Sequence, residues 1–97
     1  MPANLLVAEA ADIVIIGAGF AGAATADHLA RRGVGDVVVL EAEPRAGVHA
    51  SGKNAALCFQ RIGDLDEARL GVEGTRFYAD PPEDLAPRPL LTRRGAL

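Results

Sequence analysis

Three glycines with dinucleotide-binding spacing are the first residues in this sequence that could do chemistry. Gly17, Gly19 and Gly22 form a G-x-G-x-x-G pattern directly after an apolar run. In this pattern the first glycine turns the chain, the second lets a pyrophosphate approach the backbone, and the third lets helix and strand pack closely. Backbone N–H groups at the start of the following helix would then hold the phosphates. The spacing therefore favours a bound dinucleotide, and a ligand-free turn is the alternative.

An acidic residue completes the pattern. Glu41 lies 19 residues after Gly22, at the end of a second apolar run. A carboxylate in this place accepts hydrogen bonds from a ribose 2′-OH and repels a 2′-phosphate, so an NADP-type ligand is disfavoured. An ordinary exposed acid at a strand end is the alternative for Glu41 alone.

The elements that must position these residues read as strand, helix and strand. The β-branched runs 12–16 and 37–40 are typical of strands buried on both faces of a parallel sheet. Between them, Ala21 to Arg32 has the spacing of a helix with a small apolar face, and Gly33 is a natural C-terminal cap. The prediction is a Rossmann-like βαβ unit, an α/β fold with a parallel sheet.

Three further elements are predicted downstream. Ser51, Gly52, Lys53 and Asn54 could cap a helix that begins near Asn54. Helical spacing runs from Asp64 to Ala79 despite two internal glycines, and Leu90–Thr92 has the composition of a strand.

Composition bounds the function. The chain has 97 residues, 49% hydrophobic and 24% charged, with a net charge of −3. This is the size of one small domain, and the acidic balance without a basic stretch argues against nucleic acid. One cysteine excludes an internal disulfide, and two separated histidines leave no clustered metal-ligand set. The single cysteine favours a reducing setting, so we expect a cytoplasmic protein. The longest uncharged run, 13–26, is too short for a membrane span, and the start does not read as a secretory signal.

The spacing alone does not separate NAD from FAD, but a family resemblance does. Residues 12–56 resemble the amino-terminal segment of FAD-dependent oxidoreductases of the D-amino acid oxidase family, in particular its D-arginine dehydrogenase-like and glycine oxidase-like members. Those proteins continue after the acid with E-x5-G and a small hydroxylated patch, here Glu41 to Gly47 and then His49 to Ala56. Ordinary NAD dehydrogenases lack this second segment, which argues against an NAD-dependent fragment.

The resemblance implies FAD as cofactor and assigns roles to matching residues. The glycine loop would contact the pyrophosphate, Glu41 the adenosine ribose and Ala42 the adenine side, and the segment from Ser51 would run toward the flavin ring. The implied cofactor-binding residues are Gly17, Ala18, Gly19, Phe20, Ala21, Gly22, Glu41, Ala42, Ser51, Gly52, Lys53, Asn54, Ala55 and Ala56. The implied reaction is oxidation of the C–N bond of a D-amino acid or related amine by hydride transfer to the flavin, with no catalytic base assignable here.

The sequence also departs from the family. Val48 stands where many relatives have a second glycine. Leu57 and Ile62 stand where D-arginine dehydrogenase-like enzymes have a substrate-side His and Tyr, so D-arginine itself is disfavoured.

Family members are several times longer than this chain. We therefore expect residues 1–97 to be the amino-terminal part of an FAD-binding domain, with a core at 12–41 and a flavin-facing segment at 47–62. The substrate domain would be absent and the chain alone inactive; its partners would be the small-molecule substrate and the remainder of the flavoenzyme or a complementary subunit. A non-catalytic dinucleotide-binding module or a subunit of a split flavoenzyme is the alternative.

Three other side chains were candidates for chemistry. His28 is expected to face solvent on the first helix, and Cys58 to be a small buried residue rather than a reactive thiol. His49 lies in the flavin-facing loop, where a cofactor contact and a solvated histidine are equal alternatives.

Overall fold

The strand–helix–strand core forms as predicted. The computed structural model describes residues 10–60 and 63–95. The core consists of β1 (Ile13–Ile16), α1 (Phe20–Arg31) and β2 (Val37–Leu40). A short 3₁₀ helix (Ala50–Lys53) and a second helix, α2 (Leu65–Ala79), follow. The chain has the α/β class and the βαβ unit of a Rossmann-like fold.

The two strands pair in parallel, as expected for strands joined through a helix. Ile13 lies opposite Val37 and Ile16 opposite Leu40. Just before the strands, the backbone N–H of Asp12 donates to the backbone oxygen of Asp36 over 3.1 Å. This register brings the carboxyl ends of β1 and β2 to one edge, where parallel α/β sheets bind ligands.

The prediction that both strands are buried on both faces is wrong for the described residues. Burial alternates along β1: Ile13 and Ile15 are half-buried, whereas the side chains of Val14 and Ile16 are 51% and 87% exposed. The reason is coverage, because α1 packs on the sheet and, within residues 10–55 of the first unit, no second layer covers the opposite face. The apolar composition thus belongs to a sheet with one uncovered face.

Helix α1 lies within one residue of its predicted bounds. Its N-cap is Gly19 and its C-cap is Arg32. Gly33 follows with φ +77° and donates its N–H to the Ala30 oxygen, the left-handed ending that favours glycine. His28 and Arg31 lie in the last turn, where positive charge suits the helix dipole.

The helix predicted to begin near Asn54 does not form. The chain instead makes the 3₁₀ helix Ala50–Lys53, and Asn54 already has extended backbone angles. The Asn54 side chain donates from Nδ2 to the Ser51 oxygen over 2.7 Å, which occupies a terminal carbonyl of the short helix. Residues 54–59 have no regular structure, and Cys58, expected to be buried, is exposed within this stretch.

Helix α2 begins and ends where its sequence pattern predicted. Asp64 caps it by accepting from the N–H groups of Asp66 and Glu67, and the Glu67 side chain accepts from the Asp64 N–H to complete a capping box. One of its internal glycines has a packing reason, since a Cβ on Gly71 would lie 3.1 Å from the Phe59 oxygen.

The strand predicted at Leu90–Thr92 is also absent. Leu90 makes one backbone hydrogen bond, from its N–H to the Tyr78 oxygen over 2.7 Å, and no strand lies beside it among the described residues. A strand requires a ladder of such bonds with a neighbour, so composition alone was insufficient.

The described residues form two compact units, one up to Ala55 and one from Ala56 onward. The first holds the βαβ core and the 3₁₀ helix, and the second holds α2. None of the helices within the described ranges is both long and apolar enough to cross a membrane.

Candidate functional site at the carboxyl edge of the sheet

The glycine loop, residues 17–22, begins with a sharp turn off β1. Gly17 has φ +100°, a backbone angle that side-chain-bearing residues rarely adopt. Its N–H donates to the Leu40 oxygen over 2.7 Å, which ties the turn to the end of β2. The turn directs the chain into α1 at the edge where both strands end.

The last glycine of the loop permits close packing of helix on strand. A Cβ on Gly22 would overlap the Gly17 carbonyl oxygen and would lie 3.3 Å from Cγ2 of Ile15. No rotamer could relieve that overlap, because the clashing atom belongs to the backbone. Gly22 therefore sets the distance between α1 and β1, in the role that the spacing predicted.

The middle of the loop presents backbone donors. Gly19 is the N-cap of α1 and no side chain caps the helix. Within the described part of the chain, no acceptor binds the N–H groups of Gly19, Ala21 and Gly22. Together with the positive end of the helix dipole, these donors can hold a negatively charged phosphate.

Ser51 lies directly over this loop. The Phe20 N–H donates to Ser51 Oγ over 2.8 Å, and a Cβ on Gly19 would lie 2.7 Å from the same oxygen. No acceptor among the described residues takes the hydroxyl hydrogen of Ser51, which can therefore donate to an anion. The structure thus brings together two predicted segments that are separated by 31 residues in sequence.

Gly47 connects the 3₁₀ helix to the glycine loop through one contact with each. Gly47 donates its N–H to the Ala18 oxygen over 3.1 Å. A Cβ on Gly52 would overlap the Gly47 carbonyl oxygen, so this turn also needs a glycine for close approach. Sequence reasoning included Gly52 among the site residues, but the docking role of Gly47 became clear only in the structure.

Glu41 is held beside the glycine loop by backbone donors. Its Oε1 accepts from the Ala18 N–H over 2.9 Å, and its Oε2 accepts from the Glu43 N–H over 3.0 Å. Hydrogen bonds from the backbone of Glu43, Ala18 and Ala42, with a smaller contribution from nearby His49, hold the pKa of Glu41 below its usual value of 4.5. The side chain is therefore a carboxylate at neutral pH, with lone pairs left for further donors.

One contact near Glu41 was not foreseen. His49 Nε2 lies 2.8 Å from Glu43 Oε1, across the loop that follows β2. For His49 the sequence allows a cofactor contact and a solvated side chain equally, and it gives Glu43 no role. The position of Glu43, an acid two residues after Glu41, is the sequence feature that could have predicted this contact.

Most of the remaining predicted residues are exposed. Ala42 and Lys53 are exposed, and Asn54 and Ala55 are exposed at the end of the 3₁₀ helix. Ala56 has a positive φ of +56° and belongs to the second unit. Leu57 is described and exposed, whereas Ile62 lies outside the described residues.

Neither His28 nor a cluster of possible metal ligands forms a second candidate site among the described residues. His28 is half-exposed on α1, with Nδ1 2.9 Å from the Ala24 oxygen. In residues 10–60 and 63–95 no group of three or more His, Cys, Asp or Glu could hold a metal ion.

Comparison with known proteins gives the family. No solved structure matches the chain at a significant level. The family model described as FAD dependent oxidoreductase (DAO) matches residues 12–97, which include the glycine loop, Glu41 and Ser51. The chain therefore belongs to the DAO family of FAD-dependent oxidoreductases, whose members bind FAD.

Proposed function

We propose that the cluster at the carboxyl edge of the sheet binds the ADP half of FAD in an enzyme that oxidises the C–N bond of a D-amino acid or related amine. The glycine loop would hold the pyrophosphate, Glu41 the adenosine ribose, and Ala42 the adenine side. The segment 51–56 would extend along the cofactor toward the flavin.

The observation that carries the proposal is the anchoring of Glu41 to the glycine loop. The Ala18 N–H holds the carboxylate 2.9 Å away, at the same edge as the N–H groups of Gly19, Ala21 and Gly22, for which the described residues supply no acceptor. The proposed ribose acceptor and the proposed pyrophosphate cradle therefore lie at the same edge of the sheet. That pairing of donors and acceptor fits an ADP group, because its ribose carries hydroxyl groups and is joined directly to the diphosphate.

The absence of a side chain at Gly19 also fits the cofactor. A Cβ there would enter the space beside Ser51 Oγ, where a phosphate would meet the loop. Bound FAD would supply the hydride acceptor, and the protein residues described here would bind and orient its ADP half. The C–N specificity rests on the resemblance of residues 41–56 to the D-amino acid oxidase family.

The cofactor proposal is tested by calorimetric titration of the 97-residue chain with FAD and with ADP. We expect saturable binding of both, and Gly19→Ala should weaken each by at least about tenfold, since the Cβ fills the cradle. Gly74→Ala is the matched control, because nothing lies within 4 Å of a Cβ there. Equal binding by Gly19→Ala and the wild type would contradict the assignment.

The substrate proposal is tested on the protein in which this chain is joined to the remainder of its flavoenzyme or to a complementary subunit. We expect D-amino acids to bleach the flavin absorption of that protein anaerobically, and the matching L-amino acids not to do so. Bleaching by hydroxy acids alone would contradict C–N oxidation.

The proposed polypeptide partner has structural support. Ile16 and Leu40, at the ends of paired strands, are 87% and 52% exposed. Burying such side chains is favourable by about 1.5–3 kcal/mol each, so additional polypeptide packed on this face would stabilise the sheet.

A further inference from the structure

The loop that joins β2 to the 3₁₀ helix is closed by one side-chain contact. His49 Nε2 lies 2.8 Å from Glu43 Oε1. Because a carboxylate only accepts, Nε2 carries the hydrogen in this contact. The bond links the first turn of the loop to its last residue.

The same two residues are each tied to the proposed cofactor site. Glu43 donates its backbone N–H to Glu41 Oε2 over 3.0 Å. His49 is the N-cap of the 3₁₀ helix, and its backbone oxygen accepts from the Gly52 N–H over 3.0 Å. That helix carries Ser51, which accepts from the Phe20 N–H in the glycine loop. The contact therefore connects the docked helix to the backbone donor that orients Glu41.

We propose that Glu43 and His49 form a clasp that positions the Glu41 carboxylate for the adenosine ribose. Neither residue contacts the ligand in this proposal. The bond to His49 holds the Glu43 side chain and thereby the backbone of Glu43, and the backbone N–H of Glu43 in turn holds the Glu41 carboxylate. The clasp thereby supports recognition of the ribose 2′-OH. This inference rests on the proposed function, since it presumes an ADP group at the site.

Because the His49–Glu43 contact is exposed to solvent, its effect on nucleotide affinity should be small. The side chains of His49 and Glu43 are 73% and 37% exposed, and exposed pairs change an equilibrium constant by up to about fivefold. The predicted effect is therefore a two- to fivefold loss of ribose discrimination, roughly the range for such a pair. Phosphate binding by the glycine loop should be preserved.

The test compares ADP with 2′-deoxy-ADP, titrated calorimetrically into the full 97-residue chain. We expect the wild type to prefer ADP, and His49→Ala and Glu43→Ala each to lower that preference while the affinity for 2′-deoxy-ADP stays unchanged. The double variant should fall no further than either single variant, because both remove the same contact. Glu43→Gln should restore the preference, since its amide oxygen still accepts from Nε2.

Glu73→Gln is the matched control. It changes an acid in another exposed pair, with Arg76 at 2.7 Å on α2. This variant should keep the wild-type preference. Far-UV circular dichroism of each variant checks folding, and should His49→Ala unfold, Glu43→Ala removes the same contact from the other side.

The outcomes separate two failures. No ADP preference in the wild type would overturn the proposed function and the clasp with it. A preference in the wild type that Glu43→Ala retains in full would overturn the clasp alone. Equal weakening of both nucleotides would also overturn it, because that result indicates a general structural role.

Discussion

At the scale of single residues, the charge of Glu41 is set by the backbone around it. The N–H groups of Glu43 and Ala18 donate to its two carboxylate oxygens, and these bonds favour the ionised form. Its pKa is therefore lowered from the usual 4.5. The stability contributed by these bonds is present above the unfolded-state pKa and is lost as the pH falls through the lower folded-state pKa.

The lowered pKa of Glu41 gives a prediction about its titration. The carboxyl carbon of Glu41, followed by NMR between neutral and acidic pH, should titrate with a midpoint below 4.5. Glu41→Gln identifies the signal, because that variant lacks the titrating group. A midpoint at or above 4.5 would show that the backbone donors do not hold the carboxylate.

The same residue predicts nucleotide selectivity. Glu41→Gln should weaken ADP binding by about tenfold, the size of one hydrogen bond to a charged group, and should improve relative binding of a 2′-phosphorylated ADP analogue. The reason is that a neutral side chain neither attracts the 2′-OH as strongly nor repels a 2′-phosphate. Competition titrations with both nucleotides would measure it, and an unchanged ratio would argue against ribose contact.

At the scale of elements, the approach of α1 to β1 depends on one missing side chain. Gly22→Ala should lower the free energy of unfolding by about 1–3 kcal/mol, because the Cβ overlaps the Gly17 carbonyl oxygen. Gly74→Ala in α2 should instead be neutral or stabilising by up to about 1 kcal/mol. Urea unfolding of both variants makes the comparison, and equal stabilities would refute the close-packing role.

Helix α2 offers a second test at this scale. Asp64→Ala removes the side-chain acceptor for Asp66 and Glu67 and should cost about 1 kcal/mol of helix stability. Asp64→Asn keeps an oxygen acceptor and should cost less. Thermal melts followed by circular dichroism at a helical wavelength would separate them; identical melts would mean the cap is not needed.

Some secondary-structure elements could be predicted from the sequence and others could not. The βαβ core was predictable because β-branched runs, small helical residues and the glycines agree with one another. The helix expected near Asn54 was not, because the Ser51 hydroxyl, a good local cap, bonds instead to Phe20 N–H 31 residues away. Local patterns carry no information about such a partner.

The site was predictable to the same extent. The glycine loop and Glu41 lie together because parallel strands end at one edge, which the spacing implies. The bond between His49 and Glu43 depends on the path of an irregular loop, which no periodicity encodes. The strand expected at Leu90–Thr92 failed for a related reason, since pairing needs a neighbour as well as composition.

At the scale of the whole molecule, the exposed apolar side chains on the strands should determine whether the chain associates with other copies. Ala86 is the one buried apolar residue among those described, and Val14, Ile16 and Leu40 are exposed on the paired strands. Exposed apolar strands invite pairing with other chains. We predict that the 97-residue chain self-associates, and that Val14→Lys, on the same exposed face but inside β1, reduces association while leaving ADP binding unchanged.

Light scattering coupled to size-exclusion chromatography measures that prediction. The wild-type chain should elute as oligomers or aggregates, with a shift toward monomer in Val14→Lys. A wild-type chain that is monodisperse and melts cooperatively would contradict the view that this sheet face requires a cover.

The most direct test of the nucleotide site is an amide NMR titration with ADP of the Val14→Lys chain, in which self-association is expected to be reduced. The predicted result is saturable shifts concentrated at the N–H groups of Gly19, Ala21 and Gly22, with a smaller change at Ala18 as Glu41 gains a ribose donor. Shifts that are absent, or that lie on α2 and leave the glycine loop unchanged, would contradict an ADP site at the carboxyl edge of the sheet.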